Sequence, residues 1–134
     1  MSLTGGCQCG AVRYTIAAEP LSTYVCHCRE CRRQSASAFG ISVIVPEAAF
    51  ALTQGEVRAW RRPTDSGRVL DCTFCVVCGS RICHSTPGEG MVSVKGGSLD
   101  KPVDLHTAMH IWTTRKLPGV VIPYGAKQYD EEPD

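Results

Sequence analysis

The chain has 134 residues, of which 43% are hydrophobic and only 7% aromatic, and its formal net charge at pH 7 is +1. This length predicts one domain over residues 1–134, and the near-zero net charge disfavours nucleic acid as a partner. The first residues lack a basic and an apolar region, and no apolar run approaches the roughly 18 residues of a membrane span, so we expect a cytoplasmic protein that does not bind membranes.

Most of the chain shows an alternation of apolar and polar residues, which predicts short β-strands. The pattern begins at Val12, Tyr14 and Ile16. Five further segments share this character and follow in chain order: residues 41–45, 57–60, 68–70, 91–94 and 108–112. Only residues 29–36 have a helical composition, for about two turns. The sequence therefore predicts an all-β domain of many short strands.

Nine cysteines are the chain's most unusual compositional feature. Disulfides do not persist in the reducing cytosol, and an odd count would leave one thiol over, so metal binding is favoured. Seven of the cysteines form three groups, whereas Cys72 and Cys83 stand alone. The groups are C-x-C-G at Cys7 and Cys9, C-x-C-x-x-C at Cys26, Cys28 and Cys31, and C-x-x-C-G-S at Cys75 and Cys78.

The C-x-x-C-G-S group is typical of half a zinc site, because Cys75 and Cys78 can bend around one ion while Gly79 takes a left-handed conformation. A redox pair would instead stand in a βαβ unit, and nothing helical follows Cys78. A structural zinc needs four ligands, and Cys7 and Cys9 can supply two from the same face of an extended strand. Such a site would join the start of the chain to its middle and stabilise a thin core.

The central C-x-C-x-x-C group then provides three ligands, Cys26, Cys28 and Cys31, for a second ion. Three protein ligands and one open position are typical of a catalytic zinc. The alternative is a second structural site whose fourth ligand comes from the chain itself: Cys72, Cys83 or His27.

A zinc ion held by three thiolates has a net charge near −1 and is a weak Lewis acid. It is better suited to bind a fourth sulfur, from a small thiol, and to hold it as thiolate beside an electrophile. Arginines 29, 32 and 33 lie next to the ligands in sequence and can balance the negative charge. Arg32, one residue past the last ligand, is the preferred candidate for contacting a carboxylate of a peptide-like thiol.

The cysteine groups, together with neighbouring motifs, resemble the glutathione-dependent formaldehyde-activating enzyme family, which shares a domain with centromere protein V. The similarity runs from about residue 4 to residue 133. It is carried by GGCQCGAVRY at 5–14, CHCRECRR at 26–33, Phe39, FCVVCGS at 74–80, GSLD at 97–100 and HIW at 110–112.

This resemblance implies an all-β fold of the β-tent, or Mss4-like, kind, in which bound zinc links short antiparallel strands. It implies two zinc ions per chain, one structural on Cys7, Cys9, Cys75 and Cys78, and one catalytic on Cys26, Cys28 and Cys31. The family activity is that of a carbon–sulfur lyase, in which glutathione adds to formaldehyde. One departure is Gly119, which stands where the family usually has a tryptophan after Lys-x-Pro.

The leading hypothesis is a zinc-dependent enzyme that activates glutathione, or a similar small thiol, for addition to or release from an aldehyde-like electrophile. Arg32, Phe39 and His110 are the candidate substrate-binding residues. The alternatives for these residues are a solvated basic turn for Arg32, core packing for Phe39 and a hydrogen-bonded structural histidine for His110, which the pattern favours. The alternatives are a non-catalytic zinc module that binds a protein or nucleic acid, and a zinc or thiol sensor.

Overall fold

A computed structural model describes residues 2–64 and 66–133 of the chain. Within these ranges it has ten β-strands, one α-helix of seven residues and three single-turn 3-10 helices. The strands are β1 (Leu3–Gly6), β2 (Arg13–Ile16), β3 (Ser22–Cys26), β4 (Gly40–Pro46), β5 (Phe50–Gln54), β6 (Val57–Pro63), β7 (Val69–Cys75), β8 (Arg81–Ser85), β9 (Met91–Lys95) and β10 (Met109–Ile111). The helices are α1 (Arg29–Ser35) and the 3-10 turns Glu47–Ala49, Gly96–Ser98 and Thr113–Arg115.

The strands form two sheets. The smaller has the order β1-β2-β5, and the larger has the order β10-β3-β4-β9-β8-β7-β6. Every pair of neighbours is antiparallel except β10, which runs parallel to β3. The predicted all-β class with short antiparallel strands is therefore confirmed, with that one pair as an exception. None of the helices in the described residues has the length and apolar character that crossing a bilayer requires.

All six predicted strands and the predicted helix are present, but four strands were not predicted: β1, β3, β5 and β8. Two of them lack the alternation used for prediction, because β1 contains Gly5 and Gly6 and β5 has four exposed residues out of five. Strand β7 is also longer than the predicted segment 68–70 and continues to Cys75. Tertiary pairing with neighbouring strands, rather than local pattern, determines these segments.

The hydrophobic core lies between the two sheets. The buried side of β2, formed by Tyr14 and Ile16, packs together with the preceding Val12 against the central strands of the larger sheet. Those strands contribute Val43, Val45, Ile82, Val92 and Val94, together with the thiols Cys75 and Cys83. This face of the larger sheet is therefore apolar, as a packed antiparallel sheet requires.

The opposite face of the larger sheet carries polar and aromatic side chains. Cross-strand register places Trp60 opposite Cys72, Cys72 opposite His84, and His84 opposite Ser93. Directly paired residues of an antiparallel sheet share a face, so these four side chains form one row across β6 to β9. Lys95, two residues after Ser93, lies on the same face. We call this surface the polar face.

Gly5 is a position where the fold requires the absence of a side chain. It pairs with Tyr14, whose hydroxyl lies 2.7 Å from Ser98 Oγ. A Cβ atom at Gly5 would lie 2.3 Å from Tyr14 Oη and 2.5 Å from the Ser98 carbonyl oxygen. The contact brings the amino-terminal strand close to the turn that follows β9.

We expect Gly5→Ala to lower the free energy of unfolding by about 1–3 kcal/mol, because the added methyl overpacks this contact. Gly97→Ala is the matched control, since a Cβ there meets nothing within 4 Å. It should change the free energy by about 0.5 kcal/mol or less. Urea denaturation of both metal-loaded variants is the measurement, and equal effects would contradict the assignment.

Candidate functional site

Four cysteines converge from two turns that are distant in sequence. Cys7 and Cys9 lie in the turn between β1 and β2, whereas Cys75 ends β7 and Cys78 lies in the turn before β8. Their sulfur atoms all lie within 4.8 Å of one another. We call this group the tetrad. The structure thus brings together the four cysteines that the sequence grouped as one site.

The local conformation of the C-x-C pair differs from the expected extended strand. Gly10 N donates to the Cys7 carbonyl at 3.2 Å, which closes a turn, and Gly10 has φ +83°. The other turn is similar, since Gly79 N donates to the Cys75 carbonyl at 2.9 Å and Gly79 has φ +80°. The glycines allow each backbone to fold around its sulfurs. The strand prediction for the pair was wrong, but the role of the glycines is confirmed.

The tetrad's donor set fits a tetrahedral zinc ion. Zn–S bonds of about 2.3 Å imply sulfur separations of about 3.8 Å in a tetrahedron. The Cys7 and Cys9 sulfurs are 3.5 Å apart, and those of Cys9 and Cys75 are 3.9 Å apart. Backbone N–H groups of Val12 and Val77 donate to the Cys7 and Cys75 sulfurs at 3.2 and 3.3 Å. Such donors stabilise thiolates, the form that binds metal.

The second group, which we call the trio, consists of Cys26, Cys28 and Cys31. Cys26 ends β3, Cys28 caps the amino terminus of α1, and Cys31 lies in its first turn. Cys28 Sγ accepts a hydrogen bond from Cys31 N at 3.4 Å. The three sulfurs lie within 4.8 Å of one another, and no further histidine, cysteine or carboxylate of the described residues joins them.

The three alternative fourth ligands lie elsewhere. Cys72 and Cys83 are buried outside the group, and Cys72 Sγ points to the Leu70 carbonyl at 3.9 Å. His27 is fully buried, and its Nε2 lies 2.9 Å from His110 Nδ1. The trio therefore offers a metal three sulfur ligands from the chain.

The trio's thiols differ strongly in acidity. Hydrogen bonds with Cys26 and then Cys31 lower the pKa of Cys28 to about 2. Hydrogen bonds with Cys28 and Cys31, followed by burial, raise the pKa of Cys26. In the metal-free protein one thiolate is thus held by neighbouring thiols, because three close negative charges repel. A divalent cation would displace the remaining protons and bind all three sulfurs.

His110, a predicted substrate-binding residue, lies in the interior. It is 5% exposed, stacks on His27 and lines neither of the two cavities beside the cysteine groups. Burial lowers the pKa of His110, and burial followed by repulsion from His110 lowers that of His27 to about 4. Both imidazoles are neutral at pH 7, and the pair packs directly beside the trio because His27 separates two of its cysteines. The geometry favours the structural alternative for His110.

The two cavities lie around α1. A smaller one, of about 260 Å³, separates α1 from the polar face and is lined by Cys31. A larger one, of about 760 Å³, is lined by Phe39, by the pair Arg13 and Asp100, and by residues 96–98. Three residues line both cavities: Gln34, Arg81 and Lys95. Phe39 therefore lies at a cavity wall, and its predicted contact with substrate stays a prediction.

The cations at the cavities are mostly not those expected from sequence. Arg32 lines neither cavity, and its Nε is buried without a hydrogen-bond partner. Arg33 lines the smaller cavity, but Arg62, Arg81 and Lys95 reach it from β6, β8 and β9. Only the register of the larger sheet brings these residues to α1, so no local pattern could have found them.

Lys95 and His84 form a pair that the sequence did not indicate. Lys95 Nζ lies 2.6 Å from His84 Nδ1. Burial and the nearby Lys95 charge lower the pKa of His84 to about 3, and burial lowers the pKa of Lys95. At neutral pH His84 is therefore neutral and accepts the Lys95 hydrogen bond through Nδ1.

Comparison with known proteins shows similarity to a protein family and to a solved structure. The family model described as glutathione-dependent formaldehyde-activating enzyme matches residues 2–115. A crystal structure of a Rhodobacter sphaeroides protein is similar with a TM-score of 0.55 and 20% sequence identity, over 94% of this chain and 98% of that chain. At that identity the likeness supports the fold alone.

Gly119, the position where the family usually has a tryptophan, lies outside the matched range. It has φ +94° and lines neither cavity.

We expect each chain to bind two equivalents of Co²⁺ or Zn²⁺. Cys9→Ser should reduce this to one and lower the unfolding midpoint by roughly 10 °C or more, because the tetrad joins two distant turns. Cys28→Ser should also remove one equivalent, with a smaller change in midpoint. Cys83→Ala, which removes a thiol outside both groups, should retain both. Elemental analysis and calorimetry test this, and two equivalents in Cys9→Ser would contradict it.

The His84 pKa predicts a pH dependence of stability. The unfolded chain binds a proton at His84 near pH 6.5, whereas the folded chain binds it near pH 3. Between these values the unfolded state holds more protons, so the free energy of unfolding falls as pH falls. His84→Asn should reduce this slope by at most about 1.4 kcal/mol per pH unit. Urea denaturation of both proteins between pH 6.5 and 4.5 measures the difference, and parallel slopes would refute it.

Proposed function

Because the chain belongs to the glutathione-dependent formaldehyde-activating enzyme family, we propose that it is a zinc-dependent carbon–sulfur lyase. In this proposal it activates glutathione, or a similar small thiol, for addition to or release from an aldehyde-like electrophile. The tetrad would hold a structural zinc, and the trio would hold a catalytic zinc. Cys26, Cys28 and Cys31 are thus assigned to catalysis as metal ligands.

The observation that carries this proposal is the asymmetry between the two cysteine groups. The tetrad provides four sulfurs, which complete a tetrahedral zinc, whereas the trio provides three. Cys31 also lines a cavity, so a ligand from outside can approach the trio. A metal at the trio would supply a position where an incoming thiol is kept as thiolate at neutral pH.

The larger cavity is suited to the body of glutathione. Its volume of about 760 Å³ lies within the range typical of small-molecule sites. Arg13 forms a salt bridge with Asp100 at its wall, and both side chains are partly exposed. These opposite charges complement the carboxylate and ammonium of an amino-acid terminus. Phe39 would pack against the ligand's apolar part, which gives it a binding role beside its contact with His27.

The trio is close to this cavity through Gly40. A Cβ atom at Gly40 would lie 3.1 Å from Cys31 Cβ and 2.8 Å from Gln34 Nε2. Gly40 and Gln34 both line the larger cavity. A thiol whose peptide portion occupies that cavity therefore has a short path past Gly40 to the trio. This arrangement would position sulfur and electrophile together, which is a major source of rate enhancement.

The test is nuclear magnetic resonance exchange spectroscopy of glutathione, formaldehyde and S-hydroxymethylglutathione with the zinc-loaded protein. We expect faster exchange than in buffer, and Cys31→Ser should lower the protein-catalysed rate by roughly 100-fold or more. Cys83→Ala, which lies outside both groups and both cavities, should keep it.

A second measurement addresses the open position directly. Glutathione added to cobalt-loaded protein should intensify the thiolate-to-cobalt absorption, and Cys28→Ser should lose this response. An unchanged spectrum together with exchange at the buffer rate would contradict the proposal. That result would favour a non-catalytic zinc module, whereas reversible metal loss with mild peroxide would favour a sensor.

A further inference from the structure

The smaller cavity, between α1 and the polar face, is strongly cationic. Four side chains that carry positive charge line it, whereas Glu30 is its only carboxylate among the described residues. The cations are Arg33, Arg62, Arg81 and Lys95. The remaining wall includes Trp60, Cys72 and His84 from the polar face and Cys31 from the trio.

Most of this charge has no carboxylate partner. Glu30 lies 3.9 Å from Arg62, which is the limit of a salt bridge. The Arg81 guanidinium lies 5.6 Å from the centre of the Trp60 ring, and the Lys95 amine contacts the neutral His84. Within residues 2–64 and 66–133 no salt bridge to a carboxylate involves Arg81 or Lys95. Their charges are thus available to an anion.

The thiolates of the trio would balance only part of the positive charge at this cavity. A zinc ion with three thiolates has a net charge near −1, whereas the cavity's four cations and one carboxylate leave a formal excess of three positive charges. Bringing partly buried cations together is unfavourable without counter-charge, and a carboxylate bound by two of them would form charge-assisted hydrogen bonds. The cavity therefore has the electrostatic character of an anion site.

We propose that this cavity binds a carboxylate of the electrophile, so that the carbonyl substrate is a small oxo acid rather than a neutral aldehyde. Arg81 and Lys95 would hold the carboxylate. Because Cys31 lines the same cavity, the carbonyl carbon would then lie beside the trio. The cavity's volume of about 260 Å³ lies below the range typical of drug-sized ligands, which agrees with a small oxo acid. The larger cavity, of about 760 Å³, suits the thiol. The substrate assignment rests on the proposed function, but binding of the anion does not.

The reaction balances without an oxidant or reductant. The thiol loses its proton and its sulfur forms a bond to the carbonyl carbon, while the π electrons of the C=O bond move to oxygen. That oxygen takes up one proton, and the product is a hemithioacetal that retains the carboxylate. The carboxylate charge is unchanged throughout, so the contacts to Arg81 and Lys95 persist and serve positioning.

Trp60 provides a binding signal that is independent of turnover. Glycolate, which carries a carboxylate but no carbonyl electrophile, should change Trp60 fluorescence in a saturable manner, whereas ethylene glycol should not. Trp60→Phe should abolish the signal. Lys95→Met and Arg81→Gln should each weaken glycolate binding about tenfold or more, the loss of one charge-assisted contact. Arg61→Gln, which removes a neighbouring cation that is exposed, paired with Asp71 and absent from the cavity wall, should leave it unchanged.

Turnover then tests the substrate class. With glutathione and zinc-loaded protein, kcat/KM for glyoxylate should exceed that for acetaldehyde, in which a methyl group replaces the carboxylate, by about 100-fold. Lys95→Met should reduce this ratio at least tenfold, whereas Arg61→Gln should preserve it. Circular dichroism and metal content confirm that each variant is folded.

The outcomes separate the two proposals. Equal turnover of glyoxylate and acetaldehyde, with no Trp60 response to glycolate, overturns the inference and leaves the lyase proposal intact. A charge-dependent Trp60 response without turnover of any aldehyde overturns the lyase proposal and the substrate assignment, and retains the anion site. If glutathione alone displaces glycolate, the carboxylate belongs to the thiol, and the assignment to the electrophile is wrong.

Discussion

The close approach of cysteine sulfurs is the interaction on which this fold depends. Within the tetrad and the trio all sulfurs lie within 4.8 Å of one another. Two unit charges 4 Å apart repel by about 4 kcal/mol at the effective dielectric near a protein surface, so neither group can be fully ionised without a cation. Hydrogen bonds among the trio's thiols lower the pKa of Cys28 and raise that of Cys26, so the negative charge is concentrated on one sulfur. A divalent metal bound between the sulfurs would replace this repulsion with attraction, and the tetrad would then link the β1–β2 turn to the β7–β8 turn.

Strand β7 connects that link to the cavities. Its terminal residue Cys75 belongs to the tetrad and to the hydrophobic core, whereas Cys72, three residues earlier, lies on the opposite face and lines the smaller cavity. Residues an odd number apart in a strand point to opposite faces, so one segment serves both sides of the sheet. Metal binding at the tetrad would fix the end of β7 and thereby the position of the polar face.

The sequence allowed the class of fold and the cysteine groups to be predicted, because both depend on short-range patterns. Alternation at Val12, Tyr14 and Ile16 identified a buried strand, and cysteine spacing identified which thiols share a turn. The exposed strand β5 and the parallel pairing of β10 with β3 leave no such pattern, because they depend on which strands become neighbours. The same limit explains why Arg32 was chosen from its adjacency to Cys31. Arg32 lines neither cavity, whereas Arg62, Arg81 and Lys95 reach the smaller one from separate strands, and sheet register alone decides their position.

Lys95 shows how the core controls a charge at the cavity. Ser98 Oγ donates to the Lys95 carbonyl at 2.7 Å and also contacts the hydroxyl of the buried Tyr14. Between them, Gly96 packs so closely on Ile41 that a Cβ atom would lie 2.3 Å from its methyl group. The backbone of Lys95 is therefore held from both the core and the turn, and its amine is held by His84. A cation fixed in this way loses little conformational entropy when an anion binds. The Lys95 amine is therefore better suited to bind an anion in one defined position than to neutralise nearby charge in general.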